Sequence, residues 1–161
     1  MRKINEDLAS IIIVNYNNAK YLSKSINSVL KQEYKYKEII VVDDNSTDDS
    51  IKILKNFEGK IKVIKNKKKT NIGSYNQINS YYLGFLKSKG KIIFFLDSDD
   101  YFSNRKISEV MNFFMKKKTS YILFDLPIII NKNKVVKKKF SQKYFLLSSW
   151  PRFSPQSCIS I

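Results

Sequence analysis

Short apolar runs rich in β-branched residues alternate along this chain with segments of helical period. The runs predict buried strands at Ser10–Val14, Lys37–Val42, Lys60–Lys65, Lys91–Leu96 and Thr119–Leu126. Between them, the apolar spacing predicts helices at Ala19–Lys31, Thr47–Phe57, Ser74–Lys89 and Ser103–Lys117. Such alternation is typical of right-handed βαβ units, so we expect an α/β fold with a mostly parallel sheet and helices on both faces.

Local signals bear on the ends of these elements. Ser46 followed by Asp49 is typical of a capping box at the second helix, and Gly59 is expected to end that helix. In the third helix, apolar residues at 78, 82, 85 and 86 fall on one face. Beyond the fifth strand, the pattern predicts a β-hairpin from Ile128–Ile130 and Val135–Phe140 and a last strand from about Ser157.

The composition excludes several kinds of site. The 161 residues contain no His and one Cys, so His–metal sites, Ser–His triads, intrachain disulfides and zinc clusters cannot form. The length indicates one domain, and 43% hydrophobic residues suffice for a core. No apolar run reaches the roughly 18 residues of a membrane span. The apolar run near the start is too short for a signal peptide, so we expect a cytoplasmic protein.

The formal net charge of +16 comes from 27 Lys and only 3 Arg, beside 14 acidic residues. Arg is the residue favoured for bidentate recognition of phosphates and bases, and it is nearly absent. Lys, Asn and Ile, which together make up 64 of the 161 residues, have A/T-rich codons, so we expect codon bias to account for much of the Lys excess. The charge therefore favours an anionic partner but leaves open whether that partner is a diphosphate, an anionic lipid or a nucleic acid.

Seven of the nine Asp lie in two clusters, at 43, 44, 48 and 49 and at 97, 99 and 100, each beginning where a predicted strand ends. Ligands of parallel sheets bind at the carboxyl ends of the strands. Asp48 and Asp49 are expected to cap the second helix, and Asp43 to end its strand. Asp97 and Asp99 are spaced so that two carboxylates can converge on one cation, and their oxygens suit Mg²⁺ or Mn²⁺.

Four motifs in order carry a resemblance to a known family. They are SIIIVNYN at 10–17, VVDDNSTD at 41–48, NIG at 71–73 and GKIIFFLDSDD at 90–100. Over about residues 8–125 the chain resembles the nucleotide-sugar-binding part of a family 2 glycosyltransferase, which implies a Rossmann-like GT-A fold. Residues 126–161 would then form the hairpin and an incomplete acceptor region.

The resemblance implies roles for single residues. Val14 and Tyr16 resemble residues that pack near the nucleotide base, and Asp44 resembles the residue that accepts a hydrogen bond from the base imide N–H. Asp97-Ser98-Asp99 resembles the DxD motif, in which Asp97 and Ser98 bind the nucleotide-sugar and Asp99, with Asp97, binds the metal. Asn71 and Gly73 would shape a loop near the donor.

The implied activity is transfer of a sugar, with inversion, from a nucleotide-diphospho-sugar to a saccharide or lipid-linked acceptor in surface glycan synthesis. Mn²⁺ or Mg²⁺ would act as Lewis acid on the leaving diphosphate. Peripheral contact with the inner face of a membrane is compatible with such an acceptor, and no nucleic-acid partner is expected.

The chain departs from the family in two respects. Its general base would lie beyond the last strand, yet no Asp or Glu follows Asp125, and no Arg stands in the 71–84 stretch where the family has a basic residue. We therefore expect a C-terminally truncated domain; an inactive donor-binding module and a second chain that supplies the base remain open.

Three other interpretations compete with this one. A phosphatase of the haloacid dehalogenase type also places Asp-x-Asp after an apolar strand, but it needs a later acidic pair, and a receiver-like domain would not explain the 71–99 region. A basic module for nucleic acid or anionic membrane would use the charge. Acidic clusters at the ligand edge oppose phosphate binding unless a metal intervenes.

Overall fold

Four parallel strands form the centre of the molecule. The computed structural model describes residues 7–67, 70–116, 123–124, 128–131, 134–137 and 159–160. The strands are β1 (Ala9–Asn15), β2 (Lys37–Asp43), β3 (Lys62–Lys65) and β4 (Ile92–Asp97), in the spatial order β3-β2-β1-β4. Beyond β4 follow two short strands, β8 (Ile159–Ser160), antiparallel to its neighbours, and β5 (Leu123–Phe124). The predicted α/β fold with a mostly parallel sheet is confirmed.

Helices cover both faces of this sheet. Because successive strand residues point to opposite faces, Ile11 and Ile13 of β1 face one core and Ile12 and Val14 face the other. The first core is covered by three helices, α1 (Ala19–Leu30), α2 (Ser50–Lys55) and α4 (Lys106–Lys116). Among the described helices, only α3 (Gly73–Lys87) lies on the second face, against β1 and β2.

The orientation of α3 is the main departure from the expected pattern. An apolar stripe on a helix ordinarily faces the core, yet Ile78, Tyr82, Phe85 and Leu86 are exposed. The residues of α3 that are buried are Asn76, Ser80, Tyr81 and Gly84. A Cβ at position 84 would collide with the side chain of Ile12, so the glycine allows the helix to approach β1 closely.

The second helix is shorter than predicted. It begins at Ser50 rather than Thr47, and Asp49 precedes it without making a side-chain cap hydrogen bond. The predicted capping box is therefore wrong: the Ser46 hydroxyl instead accepts hydrogen bonds from Asn15 and Asn17. The helix ends at Lys55 with Asn56 as its C-cap, so the expectation that Gly59 ends it is wrong. Gly59, in a left-handed conformation at φ 77°, lies in the turn that follows.

The hairpin is confirmed: β6 (Ile128–Asn131) and β7 (Lys134–Lys137) pair antiparallel. Residues 119–122, 125–126, 138–140 and 157–158 of the predicted strands lie outside the described residues. Within the described part of the chain, no helix is both long and apolar enough to cross a membrane.

Candidate functional site

A polar side chain stands at the carboxyl end of each of the four parallel strands. Asn15 and Asp43 end β1 and β2, Asn66 follows β3, and Asp97 ends β4. Asn15, Asp43 and Asn66 are almost fully buried. Buried polar groups are retained where hydrogen bonds satisfy them, so this edge of the sheet is built as a polar network.

A cleft of about 640 Å³ opens at this edge. Its walls are formed by Val14, Tyr16, Asn18, Asp44, Thr70, Asn71, Gly73, Asn76, Gln77, Asp97, Ser98 and Asp99. The structure therefore brings together all six residues that the sequence singled out for donor or metal binding, although they come from three separate segments of the chain. The roles assigned to each of the six stay predictions.

Asp44 is held in place from the side of β3. It is only 7% exposed, and its Oδ1 accepts a hydrogen bond of 2.8 Å from the Asn66 amide. Asn66 is fixed in turn, since it also donates to Ser80 and accepts from Asn79 of α3. No described residue donates to Oδ2 of Asp44. That oxygen can accept a hydrogen bond from a ligand such as a base imide.

The other acids of the first cluster serve the loops instead. Asp43 accepts hydrogen bonds from the Asn15 amide and the Ser46 N–H. Asp48 accepts from the N–H groups of Ala19 and Ser50, the first residues of α1 and α2, so one carboxylate caps both helices. Burial alone would raise the pKa of Asp48, but these hydrogen bonds outweigh it and lower the pKa.

One carboxylate oxygen of Asp97 accepts hydrogen bonds from two side chains of α3. Its Oδ1 accepts from the Tyr81 hydroxyl at 2.5 Å and from the Gln77 amide at 3.0 Å. Burial raises the pKa of Asp97, and the nearby Asp100 and Asp99 raise it further, against these two hydrogen bonds. Burial, together with the Asp97 charge, also raises the pKa of Tyr81, so its hydroxyl stays a donor.

Ser98 fixes the turn that follows. It is almost fully buried; its N–H donates to the Val14 carbonyl, and its hydroxyl accepts from the Asn18 amide. Asp99 is exposed beside it, and no hydrogen-bond partner for its side chain lies among the described residues. The turn therefore presents one restrained carboxylate, Asp97, and one accessible carboxylate, Asp99, on the same cleft.

This donor set fits a divalent cation that arrives with a phosphate ligand. The described residues contain no group of three or more acidic, His or Cys side chains that could enclose a metal by themselves. Mg²⁺ is usually bound through one or two carboxylates, with waters and substrate phosphates as its other ligands. Asp99 and the second oxygen of Asp97 meet that requirement.

Several residues of the cleft escaped the sequence analysis. Asn76 is buried and binds Thr70 at three atoms, accepting from its N–H and hydroxyl and donating to its carbonyl. It thereby holds the loop that carries Asn71 and Gly73. Gln77 is the α3 side chain that reaches Asp97, in the stretch where the expected Arg is absent. The polar residue after each strand was the signal that would have found Asn66.

Comparisons with known proteins agree with this geometry. The family model described as Glycosyl transferase family 2 matches residues 10–156. An Escherichia coli enzyme, the UDP-Glc:α-D-GlcNAc-diphosphoundecaprenol β-1,3-glucosyltransferase WfgD, is 35% identical over 133 residues, which is 81% of this chain and 50% of that protein. An uncharacterised glycosyltransferase of Nostoc is 34% identical over 83% of this chain and 41% of its own length.

Solved structures agree as well. The crystal structure of Staphylococcus aureus TarS, residues 1–349, in complex with UDP has a TM-score of 0.67 and 25% identity, and the match covers 81% of this chain and 38% of that one. The poly(ribitol-phosphate) β-N-acetylglucosaminyltransferase TarS is also 28% identical in sequence over 73% of this chain. The chain spans half or less of the length of these relatives. On the family match and the shared GT-A fold, the chain belongs to glycosyl transferase family 2.

Proposed function

We propose that the cleft binds a nucleotide-diphospho-sugar and that the domain serves transfer of its sugar to a lipid-linked or polymeric saccharide acceptor. The observation that carries this proposal is the convergence of Asp44 and Asp97-Ser98-Asp99 on one cleft at the strand ends. UDP is the nucleotide we favour, because WfgD is named for UDP-Glc and TarS was crystallised with UDP.

We assign a different part of the donor to each group of residues that lines the cleft. Asp44, held by Asn66, accepts the imide N–H of the base, and the half-exposed Tyr16 ring offers an apolar surface beside it. Asn76 keeps the 70–73 loop in place at the same cleft. Asp99 and Asp97 would hold Mn²⁺ or Mg²⁺, which when bound would stabilise the negative charge of the leaving diphosphate.

The reaction we propose is a single displacement with inversion. The acceptor hydroxyl attacks C1 of the sugar, the C1–O bond to the diphosphate breaks, and the hydroxyl proton passes to a carboxylate base on the opposite face. The three acidic residues that line the cleft, Asp44, Asp97 and Asp99, are all assigned to donor or metal binding in this proposal. This favours a second candidate function, donor binding without transfer by this chain, and we assign no base. The cytoplasmic location stays a prediction.

Calorimetry tests the donor site. UDP and GDP are titrated with and without Mn²⁺ into the chain and into Asp99→Asn, Asp44→Ala and, as a matched carboxylate control, Asp49→Asn. We expect Asp99→Asn to abolish the metal-dependent part of the affinity, and Asp44→Ala to weaken UDP about tenfold or more with or without metal, since a hydrogen bond to a charged group is lost. Asp49→Asn should bind like the parent chain.

Two outcomes would contradict the assignment: UDP affinity that ignores Mn²⁺, or unchanged binding by both variants at the cleft. The same proteins then decide between the two candidate functions. With a UDP-sugar and a lipid-linked saccharide, product formation by the chain supports catalysis, whereas tight donor binding without product supports the donor-binding module.

A further inference from the structure

The outward face of α3 is apolar along its whole length. Tyr75, Ile78, Tyr82 and Phe85 follow one another at spacings of three, four and three residues, and Leu86 lies beside them. Each is between 47% and 60% exposed. Residues at these spacings share one face of a helix, and contiguous apolar patches on soluble proteins mark interaction sites. We call these five residues the α3 stripe.

The surroundings of the stripe are strongly basic. From residue 59 to residue 96 the sequence contains nine Lys and no Asp or Glu, so this quarter of the chain carries more than half of the net charge of +16. Lys62 pairs in register with Ile40, which places it on the α3 side of the sheet, and it is exposed. Lys67 before the helix and Lys87 and Lys89 at its end are exposed as well.

This charge distribution selects the kind of partner. In an antiparallel pair of α3 helices, Lys87 and Lys89 of one copy would lie near Lys67 of the other, and in a parallel pair like residues would face each other. Like charges placed together oppose association. An anionic lipid surface instead attracts lysines around an apolar face, and tyrosine is favoured at the boundary between headgroups and acyl chains.

We propose that the α3 stripe is a membrane-docking surface, which lies in the headgroup region of an anionic bilayer while the surrounding lysines contact lipid phosphates. The first turns of α3 supply Gly73, Asn76 and Gln77 to the cleft, so docking along this helix brings the cleft to the membrane surface. The proposal does not require the chain to transfer sugar.

Vesicle sedimentation tests the surface. The 161-residue chain is mixed with phosphatidylcholine vesicles, with and without phosphatidylglycerol. We expect binding only to the vesicles that contain phosphatidylglycerol, and weaker binding at high salt. Ile78→Ser with Phe85→Ser should weaken it on the order of tenfold, since two large side chains are lost from the apolar contact. Tyr21→Ser changes a side chain that is 43% exposed on α1, the helix on the opposite face of the sheet, and should bind like the parent chain.

A probe shows what contacts the stripe. An environment-sensitive fluorophore is placed at Ile78→Cys, or at Tyr21→Cys as control, in a Cys158→Ser background. We expect a blue shift at position 78 only when anionic vesicles are added. Three results would overturn the proposal: a blue-shifted spectrum before any vesicle is present, equal binding by the Ile78→Ser/Phe85→Ser variant, or a dimer in light scattering that this variant abolishes. Thermal unfolding of each variant confirms that it is folded.

Discussion

The surroundings of Asp97 destabilise the ionised form of its side chain. Burial and two acidic neighbours raise its pKa, so the folded state holds this proton more tightly than the unfolded chain does. The free energy of unfolding therefore falls as pH rises from about 4, the unfolded value, through the raised folded pKa, and stays low above it. A binding site for a cation gains from this arrangement, because the ligand neutralises a charge that the protein alone tolerates poorly.

The expected consequence is a gain of stability on removing the charge. Asp97→Asn keeps an oxygen that can accept from Tyr81 and Gln77, so it should unfold at a higher urea concentration than the parent chain at neutral pH. The difference should shrink as the pH is lowered towards 4. Donor binding with Mn²⁺ should be lost. A variant that is less stable at neutral pH would contradict the argument.

Asp48 behaves in the opposite sense. Hydrogen bonds from Ala19 and Ser50 outweigh the effect of burial and lower its pKa. Its contribution to stability is therefore present above about pH 4 and is lost as the pH falls through the lowered folded pKa. Asp48→Ala should cost about 1 kcal/mol at neutral pH, as the loss of a helix cap does, and less in acid. Asp49→Ala is the control, because its side chain caps nothing; an equal loss there would refute the distinction.

At the scale of elements, α3 joins the sheet to the cleft. Its inward face carries polar groups that bind the site: Asn76 binds the Thr70 loop and Tyr81 binds Asp97. Gly84 lets the backbone approach β1 closely. Buried positions of α3 that would ordinarily hold apolar core residues are therefore occupied by residues that hold the cleft together.

Gly84→Ala measures how tightly this helix is seated. The added methyl collides with Ile12, and overpacking costs about 1–3 kcal/mol. Alanine gains roughly 1 kcal/mol over glycine within a helix, so we expect a net loss of up to about 2 kcal/mol. Gly73→Ala, in the first turn of the same helix, meets nothing within 4 Å and should be neutral or slightly stabilising. Urea unfolding of the two variants gives the comparison, and equal stabilities would show that α3 can move away from β1.

This helix also shows how far sequence reasoning reaches. Apolar spacing located α3 to within two residues at each end, since Ser74–Lys89 was predicted and Gly73–Lys87 is observed. Spacing does not say which face is buried when the inward face is polar. Likewise, the local pattern predicts Ser46 as a cap residue, but its hydroxyl accepts hydrogen bonds from Asn15 and Asn17, 31 and 29 positions away along the chain. Hydrogen bonds between residues so far apart in sequence cannot be predicted from a local sequence pattern.

At the scale of the whole molecule, strand order creates the cleft. The chain runs from β1 to β2 and β3 on one side and returns through α3 to β4 on the other, so β1 has parallel neighbours on both sides. Loops that leave β1 and β4 diverge at this switch point, where α/β sheets bind ligands. The alternation of strands and helices was enough to predict that edge, and the two Asp clusters marked it. The position of Asn66 after β3 could have marked it as a site residue, but its pairing with Asp44 and the α3 side chains that bind Asp97 were not predictable.

Because the cleft draws on β1, β2, β4 and α3 together, a bound donor should stabilise the fold as a unit. At about 100 times its Kd, a ligand adds about 2.7 kcal/mol to the free energy of unfolding, which for a chain of this size raises Tm by about 5–10 °C. We expect UDP with Mn²⁺ to raise the Tm by the same amount whether unfolding is followed by far-ultraviolet circular dichroism or by tyrosine fluorescence. EDTA should remove the metal-dependent part of this rise in Tm in the parent chain, and it should not change the Tm of Asp99→Asn. A shift seen by one probe alone would mean that the ligand orders a loop without engaging the sheet.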